Sequence, residues 1–292
     1  MDGILVIDKP AGVTSHDVVA RVRKVLKTRR VGHTGTLDPF ATGVMVLLVG
    51  SATRLAQFLD KDVKEYVATV TLGFETDTGD VTGKPRAEPK DFTASREGIA
   101  ATLEGFRGES LQMPPMYSAK KIAGRKLYEL ARKGIEVERR AVPINIYEIG
   151  LIELSGNDSF AMRVSCSAGT YIRVLAEDIG KALGTGAHLT ELRRTAAGQF
   201  SLQDSLTFDD LDRRADKSVP LIPAENAVSH LTEFRLNPDR IEKTKNGLST
   251  RVYEAILKNG EVVRMTSASG NVIAVGVFNE EQMSIQPKIV LV

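Results

Sequence analysis

The 292-residue chain has no tryptophan, a single cysteine and few aromatic residues, which make up 5% of it. One cysteine, Cys166, excludes an intrachain disulfide and points to a reducing compartment. The longest apolar run, Val44–Val49, is too short to span a bilayer. The opening Met1-Asp2-Gly3-Ile4 lacks the basic region and long apolar stretch of a signal peptide. A cytoplasmic protein with no membrane segment is the expectation. His16, His33, His188 and His230 are scattered without metal-ligand spacing. A Walker P-loop, a dinucleotide-binding glycine fingerprint and a nucleophile elbow are all missing. An excess of one charge is missing too: 39 basic residues face 37 acidic ones.

What is present is the composition of an ordinary globular protein, 42% hydrophobic and 26% charged. The length fits one large domain, or a medium one with a small companion. Charge is clustered locally. Arg21–Arg30 holds six basic residues and no acid, and Ser118–Arg140 holds eight basic and three acidic residues. Each segment is either a track for a phosphate backbone or a solvated face.

Patterning predicts strands at Ile4–Ile7, Val44–Val49, Tyr66–Leu72, Ile144–Leu154 and Ser159–Ser167. It predicts helices from Thr14 or Ser15, over Thr53–Leu59, Arg96–Leu103 and Leu127–Lys133, and after Gly169-Thr170. Phe74–Asp91 reads as an exposed polar loop. From about Pro220 the texture becomes β-rich. Asn259-Gly260 predicts a hairpin between Val252–Leu257 and Glu261–Met265. A turn at Ser269-Gly270-Asn271 leads into Val272–Phe278, and Lys288–Val292 closes the chain as a strand.

The candidate for chemistry is Gly32-His33-Thr34-Gly35-Thr36-Leu37-Asp38-Pro39. Its glycines allow close approach of backbone to a ligand. Pro39 restricts Asp38 to extended geometry, and a buried strand follows directly. Asp38 is therefore either a firmly held catalytic carboxylate or a turn-forming aspartate. The residues alone leave both open.

Continued by Phe40-Ala41-Thr42-Gly43-Val44, this run resembles the catalytic motif of the bacterial tRNA pseudouridine-55 synthases, the TruB family. Four further blocks resemble the family in the same order. They are Asp8-Lys9-Pro10-Ala11-Gly12-Val13-Thr14-Ser15, Lys64-Glu65-Tyr66, Gln112-Met113-Pro114-Pro115-Met116-Tyr117-Ser118-Ala119 with Lys121, and Gly169–Arg173 with Gly186–Arg194. The resemblance implies an α+β fold: a mixed, largely antiparallel central sheet in a catalytic domain over 1–229. A small β-rich, PUA-like RNA-binding domain would follow over 230–292. It implies isomerisation of a flipped-out uridine in the T-loop of tRNA, with no metal or organic cofactor, by a monomer whose partner is the tRNA T-arm. Asp38 would be the essential carboxylate, acting at C1′ or on the C2′ proton.

The same likeness assigns the remaining site. Tyr66 would stack on the uracil, and Arg173 would pair with Asp38 with Tyr171 packed beside them. Leu192 would shape the pocket, and His33 would fill space left by unstacked bases. Lys9 and Lys64 are candidate phosphate contacts or ordering groups. Two rivals stand against this reading. A nucleoside or glycoside hydrolase would need a second nearby carboxylate, for which Asp8 and Asp60 in the flanking sequence are the acids to weigh. A non-catalytic RNA-binding protein would leave Asp38 without a role.

Overall fold

The computed structural model describes residues 2–59, 63–89, 92, 95–118, 120–122, 124–131, 133–156, 158–214, 219–253 and 256–291. Strands β1 (Gly3–Lys9) and β3 (Thr42–Val49) are almost continuously apolar because both of their faces are covered. They pair antiparallel with Val6 opposite Val46. Ile4, Val6, Val44, Val46 and Leu48 enter one core, and Leu5, Ile7, Met45, Leu47 and Val49 enter the core on the other face. β4 (Lys64–Leu72) instead alternates, with Tyr66, Ala68, Val70 and Leu72 facing a third core. Burying each such valine, leucine or isoleucine contributes roughly 1.5–3 kcal/mol.

The remaining strands of this sheet are β2 (Val31–His33), β5 (Gly108–Gln112), β8 (Val142–Ser155), β9 (Ser159–Cys166), β10 (Ala187–Ala197), β11 (Phe200–Ser201) and β12 (Ser205–Leu206). A separate small ladder joins β6 (Lys121–Ile122) to β7 (Arg125–Lys126). The ten-stranded sheet runs β12-β1-β3-β10-β4-β9-β8-β5, with β2 beside β3 and β11 beside β10. Only β1–β12 and β3–β10 are parallel. The expected mixed, largely antiparallel sheet is what forms.

Helix α1 (Ser15–Val25) begins on Thr14, whose hydroxyl accepts from Asp17 N while Asp17 accepts from Thr14 N. α3 (Arg96–Glu104) and α5 (Ile172–Ala182) pack on the third core through Ile99, Leu103, Ile172, Leu175, Ala176 and Ile179. The helix expected over Thr53–Leu59 is a 3₁₀ turn (Gly50–Leu55) followed by the short α2 (Ala56–Leu59). The helix expected over Leu127–Lys133 is α4 (Leu127–Ala131), and α6 (Phe208–Arg213) was not expected. No helix among the described residues is long and apolar enough to cross a membrane.

A second sheet holds β13 (Thr232–Arg235), β14 (Thr250–Arg251), β15 (Val262–Thr266), β16 (Val272–Asn279) and β17 (Ser284–Val290), with α7 (Pro238–Lys245) between β13 and β14. Its order is β13-β15-β16-β17-β14. The expected Asn259-Gly260 hairpin is corrected here. The tight turn exists, with Glu261 N donating to Lys258 O at 2.9 Å. The described residues of the first arm, however, form no strand, the preceding β14 pairs with β17, and β15 pairs with β13 and β16. Glu254 and Ala255, within the first expected arm, lie outside the described residues. The turn at Ser269-Gly270-Asn271 does join β15 to β16.

Candidate active site

The Asp38 loop connects β2 to β3, which are paired with His33 opposite Leu47. Leu37 and Ala41 anchor it by burying their side chains in the third core. Three polar tethers fix its backbone. Ser15 Oγ donates to Leu37 O at 3.0 Å and accepts from Leu37 N at 2.9 Å. Gly12 N donates to Pro39 O at 2.8 Å. Lys9 Nζ, fully buried, donates to Pro10 O (3.0 Å), Val13 O (2.8 Å) and Pro39 O (3.2 Å). Desolvation lowers the Lys9 pKa to about 8, against the pull of Asp38. The expectation that Lys9 touches phosphate is therefore corrected in favour of its ordering role: the ammonium is enclosed and spent on carbonyls.

Asp38 faces a cavity of about 240 Å³ whose wall includes Lys64, Tyr66, Ser118, Tyr171, Arg173, Leu192 and Arg194. Arg173, in the first turn of α5, places Nε 2.8 Å from Asp38 Oδ2. Its Nη1 donates to Thr78 O at 2.7 Å and its Nη2 to Tyr117 O at 2.8 Å. Asp80 lies 3.7 Å from Nη1 and is buried, its Oδ1 held by Thr78 Oγ1, Thr82 N and Thr82 Oγ1. All three guanidinium nitrogens are thus committed, which fixes the Asp38 carboxylate. Burial raises the Asp38 pKa, Arg173 opposes that, and Asp80 adds to it. A third of the Asp38 side chain, 33%, still opens to the cavity.

Tyr66 on β4 sits directly opposite Arg194 on β10. Burial raises the phenol pKa and the neighbouring Arg194 lowers it. Arg194 also donates from Nε to Val44 O at 2.7 Å and from Nη2 to Gly35 O at 3.2 Å, linking β10 to the Asp38 loop. Leu192, two residues earlier, shares its strand face. Tyr171 is held through its backbone: its N donates to Gln112 Oε1 at 2.8 Å and its O accepts from Gln112 Nε2 at 3.1 Å. Lys64 is buried in the cavity wall. His33 does not line the cavity. Its Nδ1 accepts from Gly35 N at 3.3 Å, and burial lowers its pKa, with His16 and Arg194 adding to that.

The structure therefore gathers Asp38, Tyr66, Tyr171, Arg173, Leu192 and Lys64 around one cavity. The sequence reading missed Ser15, Gln112, Asp80, Ser118 and Arg194 as site residues. Arg194 was signalled by its i+2 spacing from Leu192. Asp80 gave no signal, because the loop from Phe74 was expected to be exposed. Its inner part is in fact buried at Thr76 and Asp80, and Asp80 bridges Leu189 of β10. Asp38 is the only acid lining the cavity among the described residues. Asp8 is taken by a two-point bond with Arg193 (3.1 and 2.7 Å), and Asp60 lies outside the described residues. A hydrolase with paired carboxylates finds no support in this arrangement. No group of three or more metal-ligating side chains forms among the described residues.

Comparison with known proteins agrees with this geometry. Residues 23–172 match the family described as TruB family pseudouridylate synthase (N terminal domain). Residues 173–228 match the tRNA pseudouridylate synthase B C-terminal domain. The tRNA pseudouridine synthase B of Geobacillus kaustophilus is 47% identical over 261 residues, covering 86% of this chain and 92% of that protein. That of Bacillus subtilis is 41% identical over 285 residues, covering 94% and 92%. Among solved structures, a Cbf5-Nop10-Gar1 complex superposes with TM-score 0.78 at 29% identity, over 99% of this chain and 85% of that one. An H/ACA RNP bound to a substrate RNA containing 2′-deoxyuridine gives 0.77 at 27% identity, over 99% and 85%. With the motif blocks, the cavity and these matches in agreement, the chain belongs to the TruB family of pseudouridylate synthases.

Proposed function

We propose that this chain isomerises uridine to pseudouridine at position 55, in the T-loop of tRNA. The observation that carries the reading is Asp38, ion-paired to a fully engaged Arg173 and facing a cavity walled by Tyr66 and Leu192. The reaction breaks N1–C1′ and forms C5–C1′. C5 gives up a proton and N1 gains one, so no oxidant or reductant is required. Ionised Asp38 acts at C1′ or removes the C2′ proton. Tyr66 stacks on the extruded base, and its hydroxyl assists proton transfer at C5. Leu192 and Tyr171 bound the base, and His33 at the loop root fills space among unstacked T-loop bases.

The macromolecular partner in this reading is the tRNA T-arm. Exposed Lys24, Lys27, Arg29 and Arg30 supply phosphate contacts, and the second sheet serves as a PUA-like RNA-binding module. The domains divide near residue 230, and the enzyme acts as a cytoplasmic monomer without a cofactor. The test is tritium release from tRNA carrying 5-tritiated uridine. Isomerisation frees tritium to water, whereas hydrolysis frees labelled uracil. Asp38→Asn is expected to lower tritium release by on the order of 10²–10⁴-fold. An Asn variant with undiminished release would sink the assignment.

A further inference from the structure

Ser118 closes one side of the cavity, buried at 4% exposure. Its Oγ has no hydrogen-bond partner, a state shared among the described buried side chains only with Arg240 Nε. Native structures seldom leave a buried hydroxyl unmet. Its position is fixed by backbone bonds on both sides: Ser118 N donates to Met116 O at 3.0 Å, and Tyr128 N donates to Ser118 O at 3.1 Å. The preceding carbonyl, Tyr117 O, is the one that holds Arg173 Nη2. The hydroxyl is thus held by the same short segment that orients the Asp38–Arg173 pair.

Both guanidinium groups of the wall and the Thr170 hydroxyl are already occupied. Arg173 is committed to Asp38, Thr78 O and Tyr117 O. Arg194 is committed to Val44 O and Gly35 O, and Thr170 Oγ1 donates to Ser167 O. A uracil entering this cavity gives up water at two carbonyl oxygens and one N3–H. A hydroxyl can donate to the former or accept from the latter. We propose that Ser118 Oγ hydrogen-bonds the polar edge of the uracil and orients the base, making Ser118 a substrate-recognition residue. The assignment rests on the uridine-isomerase reading above.

The experiment compares the wild-type enzyme with Ser118→Ala. Single-turnover tritium release is followed on a T-arm RNA carrying 5-tritiated uridine at the target. Removing a hydroxyl with no protein partner should leave the melting temperature unchanged or slightly higher. Release should slow about tenfold, the worth of one hydrogen bond to the base. Binding of the same RNA with an abasic target nucleotide should be equal for both proteins. The proposal fails if the Ala variant reacts at the wild-type rate. It fails if stability falls along with activity, which marks a structural serine. It also fails if abasic RNA binds the variant more weakly, which places the contact on ribose or phosphate. A wild-type enzyme that releases no tritium overturns the isomerase reading and this assignment together.

Discussion

Burial raises the carboxyl pKa of Asp38 above its ordinary 3.8, and Arg173 only partly offsets it. Two outcomes follow at the residue scale. In the proposed reaction the ionised form acts, so the acid limb of the pH–rate profile should lie above 3.8. Its position is read from single-turnover rates across the acid range, and a limb at or below the ordinary value would contradict it. The sign for stability is the reverse of a salt-bridged aspartate. Because the folded pKa is the higher one, the folded state binds the proton more tightly than the unfolded chain does. Stability from this group is therefore present below 3.8 and lost as pH rises through the folded value. Asp38→Asn should accordingly melt no lower than wild type at neutral pH, with any gain shrinking in acid. Lys9 behaves differently, because its worth lies in satisfied carbonyls. Lys9→Met leaves Pro10 O and Val13 O without the ammonium donor, while Pro39 O keeps Gly12 N, at roughly 1–3 kcal/mol for each acceptor that water fails to reach. Denaturant melts should show that loss together with reduced turnover. An unperturbed midpoint would mean that the ammonium is dispensable to the loop.

At the scale of elements, the junction of β3 with β10 decides whether the site assembles. Gly43 pairs with Arg194 and has φ +103°, and a Cβ there would lie 2.2 Å from Arg194 O. Gly43→Ala must push β10 away, taking Leu192 and Arg194 with it, at roughly 3 kcal/mol or more. Gly12 also has positive φ, +82°, but a Cβ there meets nothing within 4 Å. Gly12→Ala should cost only the backbone strain, roughly 1–2 kcal/mol. Equal losses in melting and activity would show that the close approach does not matter. The same strand marks the limit of reading from sequence. β1, β3 and β4 are legible because continuous runs or clean alternation report how many faces are buried. β10 went unread as a strand although it lies at the centre of the sheet. Bulges between Leu189 and Glu191 and between Arg194 and Ala196 break its period of two, and its inner face carries a buried arginine. Asp38, Tyr66, Arg173 and Leu192 were reachable through motif blocks. Asp80 was not, and Ser15, although inside the first block, showed no role there, because their roles arise from contacts across 93 and 22 positions that no local pattern encodes.

For the whole molecule, the question is whether the two sheets are independent. The family resemblance implied a small β-rich domain over 230–292. Apolar packing joins that part to the rest of the chain. Val272, Val275 and Ile289 belong to the same core cluster as Ile4, Val6, Val44 and Val46, and Arg54 Nη1 donates to Val290 O at 3.1 Å. One face of β1 and β3 is therefore covered in part by the C-terminal sheet. That face lies directly behind the strands that carry the Asp38 loop and Lys9. Deleting residues 230–292 would return this patch to water and forfeit roughly 1.5–3 kcal/mol for each core side chain uncovered. The shortened protein should melt at lower temperature, bind a hydrophobic dye in its native state and lose activity even on a minimal T-arm RNA. A fragment that melts like the full chain and stays dye-free would mean that the module is only a tethered RNA-binding unit.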